Sequence, residues 1–220
     1  RSRALRRGTV EEQDLYVFTG CVFEKEGLFH IFYTGHNPHL RARGLPEQAI
    51  MHATSPDLIR WTKDPANPIL FADTDCFEPH DWRDPFVFWN EEAGEYWMLL
   101  AARVKTGPNN RRGCTAIVVS KDLCTWEGRE PLWSPQLYFT HDCPDLFRMG
   151  DWWYLVYSTF SERMITHYRM SRSLSGPWVA PDNYSFDGRG FYAAKTASDG
   201  ERRFAFGWLP SRVGEIDTGA

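Results

Sequence analysis

Gly94-Glu-Tyr-Trp-Met-Leu-Leu100 is a glycine turn running into a short aromatic strand, and the chain repeats it. The pattern returns as Gly27-Leu-Phe-His-Ile-Phe-Tyr33, as Gly150-Asp-Trp-Trp-Tyr-Leu-Val-Tyr157 and, shortened, as Arg203-Phe-Ala-Phe-Gly-Trp208. Three units continue into a second shared element: Ala53-Thr-Ser-Pro-Asp-Leu-Ile-Arg-Trp61, Val118-Val-Ser-Lys-Asp-Leu-Cys-Thr-Trp126 and Tyr168-Arg-Met-Ser-Arg-Ser-Leu-Ser-Gly-Pro-Trp178. Ser-x-Asp-Leu ends one strand in a polar turn, and the Trp begins the next. Another short strand precedes each aromatic one, over Val17 to Phe23, Asp84 to Trp89, Asp145 to Arg148 and Phe191 to Thr196. A unit of several strands recurring every roughly 50 to 65 residues predicts the blades of a β-propeller. Helical periodicity is scarce, and Gly and Pro punctuate the chain every few residues. An irregular β-sandwich is the alternative for an all-β chain, but sandwiches do not repeat a sequence unit in this way.

With 220 residues there is room for one large domain or two small ones. Ten Trp, nine Tyr and fifteen Phe suit a β-rich core, and flat rings also stack on flat sugar faces. A net charge of −4 gives no reason to expect a nucleic-acid partner. Arg1, Arg3, Arg6 and Arg7 read as a solvated end, inside a poorly structured lead-in over residues 1–13. The longest apolar runs, such as Trp97 to Ala102, are too short to span a membrane. The five cysteines, Cys21, Cys76, Cys114, Cys124 and Cys143, are odd in number and form no C-x-x-C pair. Mostly buried, reduced thiols are therefore expected rather than a zinc or disulfide framework, which fits a cytoplasmic protein. No motif suggests a metal or an organic cofactor, and nothing specifies an oligomeric state.

In a propeller the innermost strands line a central channel, and residues at their starts converge on one mouth. This sorts the 29 acidic residues. Asp57 and Asp122 lie in the repeated Ser-x-Asp-Leu turn, where Asp caps backbone N–H groups. Asp84 instead opens an inner strand in Asp81-Trp-Arg-Asp-Pro-Phe-Val-Phe-Trp89, with Pro85 at the strand's first position and Arg83 able to grip a carboxylate or hydroxyls. Asp142, in His141-Asp-Cys-Pro-Asp-Leu-Phe147, sits at the matching point one unit later. Two acids so placed can face one another across a channel, as glycoside hydrolysis requires; each could equally cap a turn.

These residues resemble a known family. Arg83-Asp84-Pro85 is similar to the Arg-Asp-Pro motif of glycoside hydrolase family 32, the invertase and fructanase class. The 141–147 segment resembles that family's Glu-Cys-Pro-Asp-Leu-Phe. Val17-Phe-Thr-Gly20 with Phe32-Tyr-Thr-Gly35, Asn67-Pro-Ile-Leu70, and Gly190-Phe-Tyr-Ala-Ala194 through Gly207-Trp208 resemble its other elements, in the right order from about Asp14 to Asp217. The resemblance implies a five-bladed propeller and retaining hydrolysis or transfer of β-fructofuranosyl groups on a small carbohydrate. It implies that Asp84 stabilises the transition state, that Asp142 holds the acid/base position, and that Arg83, Trp82, Phe18, Thr19 and Cys143 contact the sugar. Two departures stand out. The family's nucleophile motif, Asn-Asp-Pro-Asn-Gly, is absent, so about four blades without the first are expected, and these 220 residues alone are not expected to hydrolyse sucrose. Asp142 also stands where the family has Glu. A family 43-like arabinofuranosidase or xylosidase, and a catalytically inactive sugar-binding propeller, are the competing readings.

Overall fold

The computed structural model describes residues 4–161, 163–186, 190–209, 211–213 and 216–219. Of the basic opening, Arg1 and Arg3 lie outside the described residues, and Arg6 and Arg7 are exposed.

The regular structure of the described residues is strand, apart from single 3-10 turns at Arg41–Arg43 and Asn109–Arg111. Strands β1 (Tyr16–Lys25), β2 (Leu28–His36), β3 (Gln48–Ser55) and β4 (Thr62–Lys63) pair in order as one antiparallel sheet. The same order recurs in β5 (Phe77–Asn90), β6 (Glu95–Val104), β7 (Gly113–Ser120) and β8 (Glu127–Trp133). A third sheet contains β9 (Asp142–Met149), β10 (Trp152–Thr159) and β11 (Ile165–Ser171). Two hairpins follow, β12 (Tyr192–Ser198) with β13 (Arg203–Trp208), and β14 (Ser211–Val213) with β15 (Ile216–Gly219). The glycines that open the repeats, Gly27, Gly94 and Gly150, have φ of 81°, 65° and 59°, a left-handed conformation that tight hairpins need and a Cβ disfavours.

The sheets stack face to face. Strand periodicity sends alternate residues to opposite neighbours. On β6, Met98 and Leu100 join the core against the first sheet's Phe32 and Ile50, while Leu99 joins the core against Leu146 and Leu155 of the third. On β7, Ala116 and Val118 face the first of these cores, and Ile117 and Val119 the second. Sandwiched on both sides, β7 is buried at all eight positions, which explains its uninterrupted apolar run. The first strands touch in series, β1 against β5, β5 against β9 and β9 against β12. Sheets stacked in series with their first strands adjacent are the arrangement of propeller blades, not the two layers of a sandwich.

Part of the 1–13 lead-in is tied down: Asn37 donates to the carbonyls of Val10 and Glu12 at 2.8 Å, and buried Gln13 donates to Gly35 and Glu47 carbonyls. All five cysteines are free, but Cys76 and Cys124 are exposed because both fall in loops. The Ser-x-Asp-Leu turns are built alike. Asp57 Oδ1 accepts from the Ile59 and Arg60 amides, and Asp122 Oδ1 from those of Cys124 and Thr125. These bonds hold both carboxyls below the usual range, Asp122 at about 2.

Candidate active site

The four inner strands share one irregularity. On β1, Val17 pairs with Gly35 and Gly20 with Tyr33, so Phe18 and Thr19 oppose the single residue Thr34. On β5, Asp84 and Pro85 lie between the pairs Arg83–Ala101 and Phe86–Leu99. On β9, Cys143 and Pro144 lie between Asp142–Ser158 and Asp145–Val156. On β12, Ala193 and Ala194 lie between Tyr192–Trp208 and Lys195–Phe206. Each is a β-bulge, two residues against one, a device that re-aims side chains. The first bulged residue of β5, β9 and β12 is left-handed: Asp84 at φ 58°, Cys143 at 51° and Ala193 at 53°. Such a residue costs of order 1–3 kcal/mol and must be held in place. The bonds that hold it come from the preceding sheet. Asp84 N–H donates to Thr34 Oγ1 at 2.8 Å, Cys143 N–H to Asp84 Oδ2 at 2.9 Å, and Ala193 N–H to Ser158 Oγ at 3.0 Å.

This register corrects the sequence alignment of the units by one residue. Asp84 matches Cys143, and Asp142 matches Arg83 and Tyr192. Nor does Pro85 begin its strand: β5 starts at Phe77, and Pro85 is tolerated mid-strand because the bulge leaves it outside the ladder.

The bulges gather side chains of three successive sheets. Arg83, 9% exposed, donates through Nη2 to Asp142 Oδ1 at 2.5 Å and to Thr140 Oγ1 at 3.1 Å. Through Nη1 it donates to Asp81 Oδ1 at 2.7 Å and Gln48 Oε1 at 3.3 Å, and its Nε lies 3.7 Å from Asp84 Oδ2. Thr140 also donates to Asp142 Oδ1 at 2.7 Å, while the Tyr192 hydroxyl donates to Asp142 Oδ2. One guanidinium thus holds the carboxylates of Asp81, Asp84 and Asp142. Burial pushes the Asp84 carboxyl up; Arg83 opposes that, and Asp142 reinforces it. Burial, with the neighbouring carboxylates, also raises the Tyr192 phenol and the Cys143 thiol, so both keep their protons.

The remaining expected contacts divide. Thr19 joins the cluster, its hydroxyl 3.6 Å from Cys143 Sγ. Phe18 is 43% exposed and stacks on His36 at 4.5 Å, with open ring surface. Trp82 is corrected: at 2% exposure it packs on Phe77 in the core, since β5 periodicity points it away from the Arg83 side. Tyr192, Thr140, Gln48 and Asp81 were not singled out from sequence. Tyr192 was legible in principle, because it precedes its bulge as Asp142 and Arg83 precede theirs. Asp14 is buried and bonded to the Tyr33 hydroxyl at 2.9 Å and Lys63 Nζ at 2.5 Å; among the described residues no hydrogen bond or ion pair joins it to Asp84 or Asp142. Among the described residues, no cluster of three or more His, Cys, Asp or Glu could hold a metal ion.

Residues 2–217 match the model of the glycosyl hydrolases family 32 N-terminal domain. The chain is 28% identical over 185 residues to a Daucus carota β-fructofuranosidase, insoluble isoenzyme 1, covering 70% of this chain and 30% of that one. It is 23% identical over 223 residues to a Vibrio alginolyticus sucrose-6-phosphate hydrolase, covering 92% and 42%. A mutant Bombyx mori family 32 β-fructofuranosidase in complex with sucrose overlays with a TM-score of 0.70 at 18% identity, over 93% of this chain and 45% of that one. The chain therefore spans less than half the length of each of these relatives. The family match covers nearly every residue and includes the bulged Arg83-Asp84-Pro85 and Asp142-Cys143-Pro144 segments, so this chain belongs to glycoside hydrolase family 32.

Proposed function

We propose that this chain carries the acid-bearing half of a β-fructofuranosidase site acting with retention on sucrose, its phosphate or a fructan. The observation that supports it best is the convergence of Arg83, Asp142 and Tyr192 from three sheets, with Asp84 held beside them by the Cys143 N–H. Asp84 has one oxygen fixed on a backbone donor and the other available for sugar hydroxyls, which suits it to stabilise a charged, oxocarbenium-like transition state. Asp142 is the proton carrier. Its side chain is one methylene shorter than the Glu of the family pattern, so its reach towards a leaving oxygen falls by about 1.5 Å, one carbon–carbon bond. Phe18 supplies the exposed ring for the sugar face.

A retaining mechanism also needs an attacking carboxylate opposite the acid. We assign it to sequence not among these 220 residues, together with a further sheet that closes a five-bladed propeller. The apolar faces that such a sheet would cover are exposed: Val17 and Val22 on β1, and Phe206 and Trp208 on β13. The test has two arms. Titration calorimetry with fructose and sucrose should show binding to this chain that Asp84→Asn abolishes. Fructose release from sucrose, inulin and levan should be absent here and appear when the natural upstream sequence is restored. Turnover by the 220 residues alone would overturn the assignment of the nucleophile. Binding by a restored chain that carries the nucleophile motif yet stays inert would favour the sugar-binding reading.

A further inference from the structure

Behind Arg83 lies a second arginine that touches none of the expected sugar contacts. Arg103, at the end of β6, is 1% exposed. Its Nε donates to Glu78 Oε2 at 2.8 Å and lies 3.5 Å from Asp81 Oδ2, the carboxylate whose other oxygen accepts from Arg83. Its Nη1 donates to the Phe139 carbonyl at 2.5 Å, and its Nη2 to Asn109 at 2.8 and 2.9 Å. The guanidinium carbon also stands 3.6 Å over the Phe139 ring. Phe139 leads directly into Thr140 and Asp142. Arg103 therefore grips both halves of the Arg83–Asp142 pair: one through Asp81, the other through the carbonyl and ring of Phe139.

We propose that Arg103 is a positioning residue that fixes the separation between Arg83 and Asp142 by holding Asp81 and the 138–140 segment in one frame. Two features support it. Its outer side is anchored, because Glu78 also accepts from Arg112 at 2.8 Å; burial alone would raise the Glu78 carboxyl, but these two arginines bring it below its ordinary value. Its strand partner is Gly113, whose N–H donates to the Tyr138 carbonyl at 2.9 Å. A Cβ at Gly113 would lie 2.6 Å from Thr140 Cα and 2.8 Å from the Tyr138 carbonyl oxygen, so only glycine lets the segment close on the sheet beside Arg103. Lysine cannot replace Arg103, since an ammonium is a single point of charge where this site uses a planar fork in three directions.

The inference rests on the reading of Asp142 as acid, but its test uses no activity. Arg103→Lys and Gly113→Ala disturb the frame by independent routes, and neither alters the chemical identity of Arg83, Asp84 or Asp142. In the unaltered chain, the Arg83 guanidinium protons should exchange slowly with water. Each variant should speed that exchange at least tenfold. Each should also raise the NMR titration midpoint of the Asp84 carboxyl, since Asp84 faces Arg83 on its own strand, Asp142 and Cys143 on β9, and Lys195 on β12, and loses its nearest counter-charge if Arg83 drifts. Backbone amide spectra of β6 and β7 report whether each variant folds, and a single folded variant decides the matter. A lowered melting temperature with unchanged Arg83 exchange and an unchanged Asp84 midpoint would reduce Arg103 to a structural support and overturn the proposal.

Discussion

Replacing Arg83 by Met isolates the electrostatics of the site from its volume. The methionine retains much of the buried stem but removes the charge from among Asp81, Asp84 and Asp142. Two of the lost hydrogen bonds join carboxylates, and charge-assisted bonds contribute about 1.5–3 kcal/mol each. Removing one member of a buried ion pair costs about 3–5 kcal/mol by itself, because the partner stays buried and uncompensated. At pH 7 the variant should therefore lose about 3–5 kcal/mol in urea melts, or about 6–20 °C in melting temperature for a chain of this size. The loss should depend on pH with a definite sign. Asp84 has a folded pKa raised above its unfolded value by burial, so the native state binds the extra proton, and stability falls as pH rises through the window between the two values. Without Arg83 the folded value rises further and the window widens upward. The deficit of Arg83→Met relative to the unaltered chain should thus shrink on going from pH 7 to pH 5. A deficit under about 1 kcal/mol, or one that grows on acidification, would refute the account of Arg83 as the buried counter-charge.

Tyr192→Phe removes one donor from Asp142 and nothing from the core, so it should cost about 1.5–3 kcal/mol by denaturant titration and weaken sugar binding in calorimetry. Leu99→Ala empties a fully buried position between the second and third sheets and should cost about 2–5 kcal/mol, read from the same melts. Under native conditions, iodoacetamide and mass spectrometry should find Cys76 and Cys124 alkylated. Cys21, Cys114 and Cys143 should stay protected until urea is added, since burial lifts the thiols of Cys21 and Cys114 to about 11 and about 12 and that of Cys143 well above its ordinary value.

The sequence made the sheets visible because one periodicity served two neighbours. A strand such as β6 must be apolar on both faces to lie between two sheets, and the run Tyr96 to Ala102 shows this directly. The turn chemistry was equally plain, since Ser55 with Asp57 and Ser120 with Asp122 cap their loops through local bonds that residue type alone implies. The register of the inner strands was not visible. A bulge is set by what the neighbouring sheet offers: Thr34 Oγ1 for the Asp84 N–H and Ser158 Oγ for the Ala193 N–H are contacts across 50 and 35 residues. No local pattern encodes them, so sequence spacing aligns Asp84 with Asp142 where the bulges align it with Cys143, and the Trp82 ring lies in the core and not in the sugar pocket that the resemblance implies. Asp81 was hidden for the same reason, because its role depends on Arg103 of the next strand.

The bulges also explain why proline follows both Asp84 and Cys143. In a regular ladder a mid-strand proline forfeits a hydrogen bond and is excluded from inner strands. Within a bulge the second residue has no ladder partner, so Pro85 and Pro144 lose nothing there, and the ring narrows the conformations that the unfolded chain can visit. In both bulges the residue before the proline is left-handed, as Ala193 is in β12 with no proline after it, and its N–H bonds outside its own sheet. The acceptors are a hydroxyl of the sheet before, at Asp84, and a carboxylate at Cys143. In the second case the acceptor is Asp84 itself. The bond that relieves the strained backbone of one inner strand is thus the bond that orients the Asp84 carboxylate of another, which couples the geometry of the candidate site to the packing of its sheets.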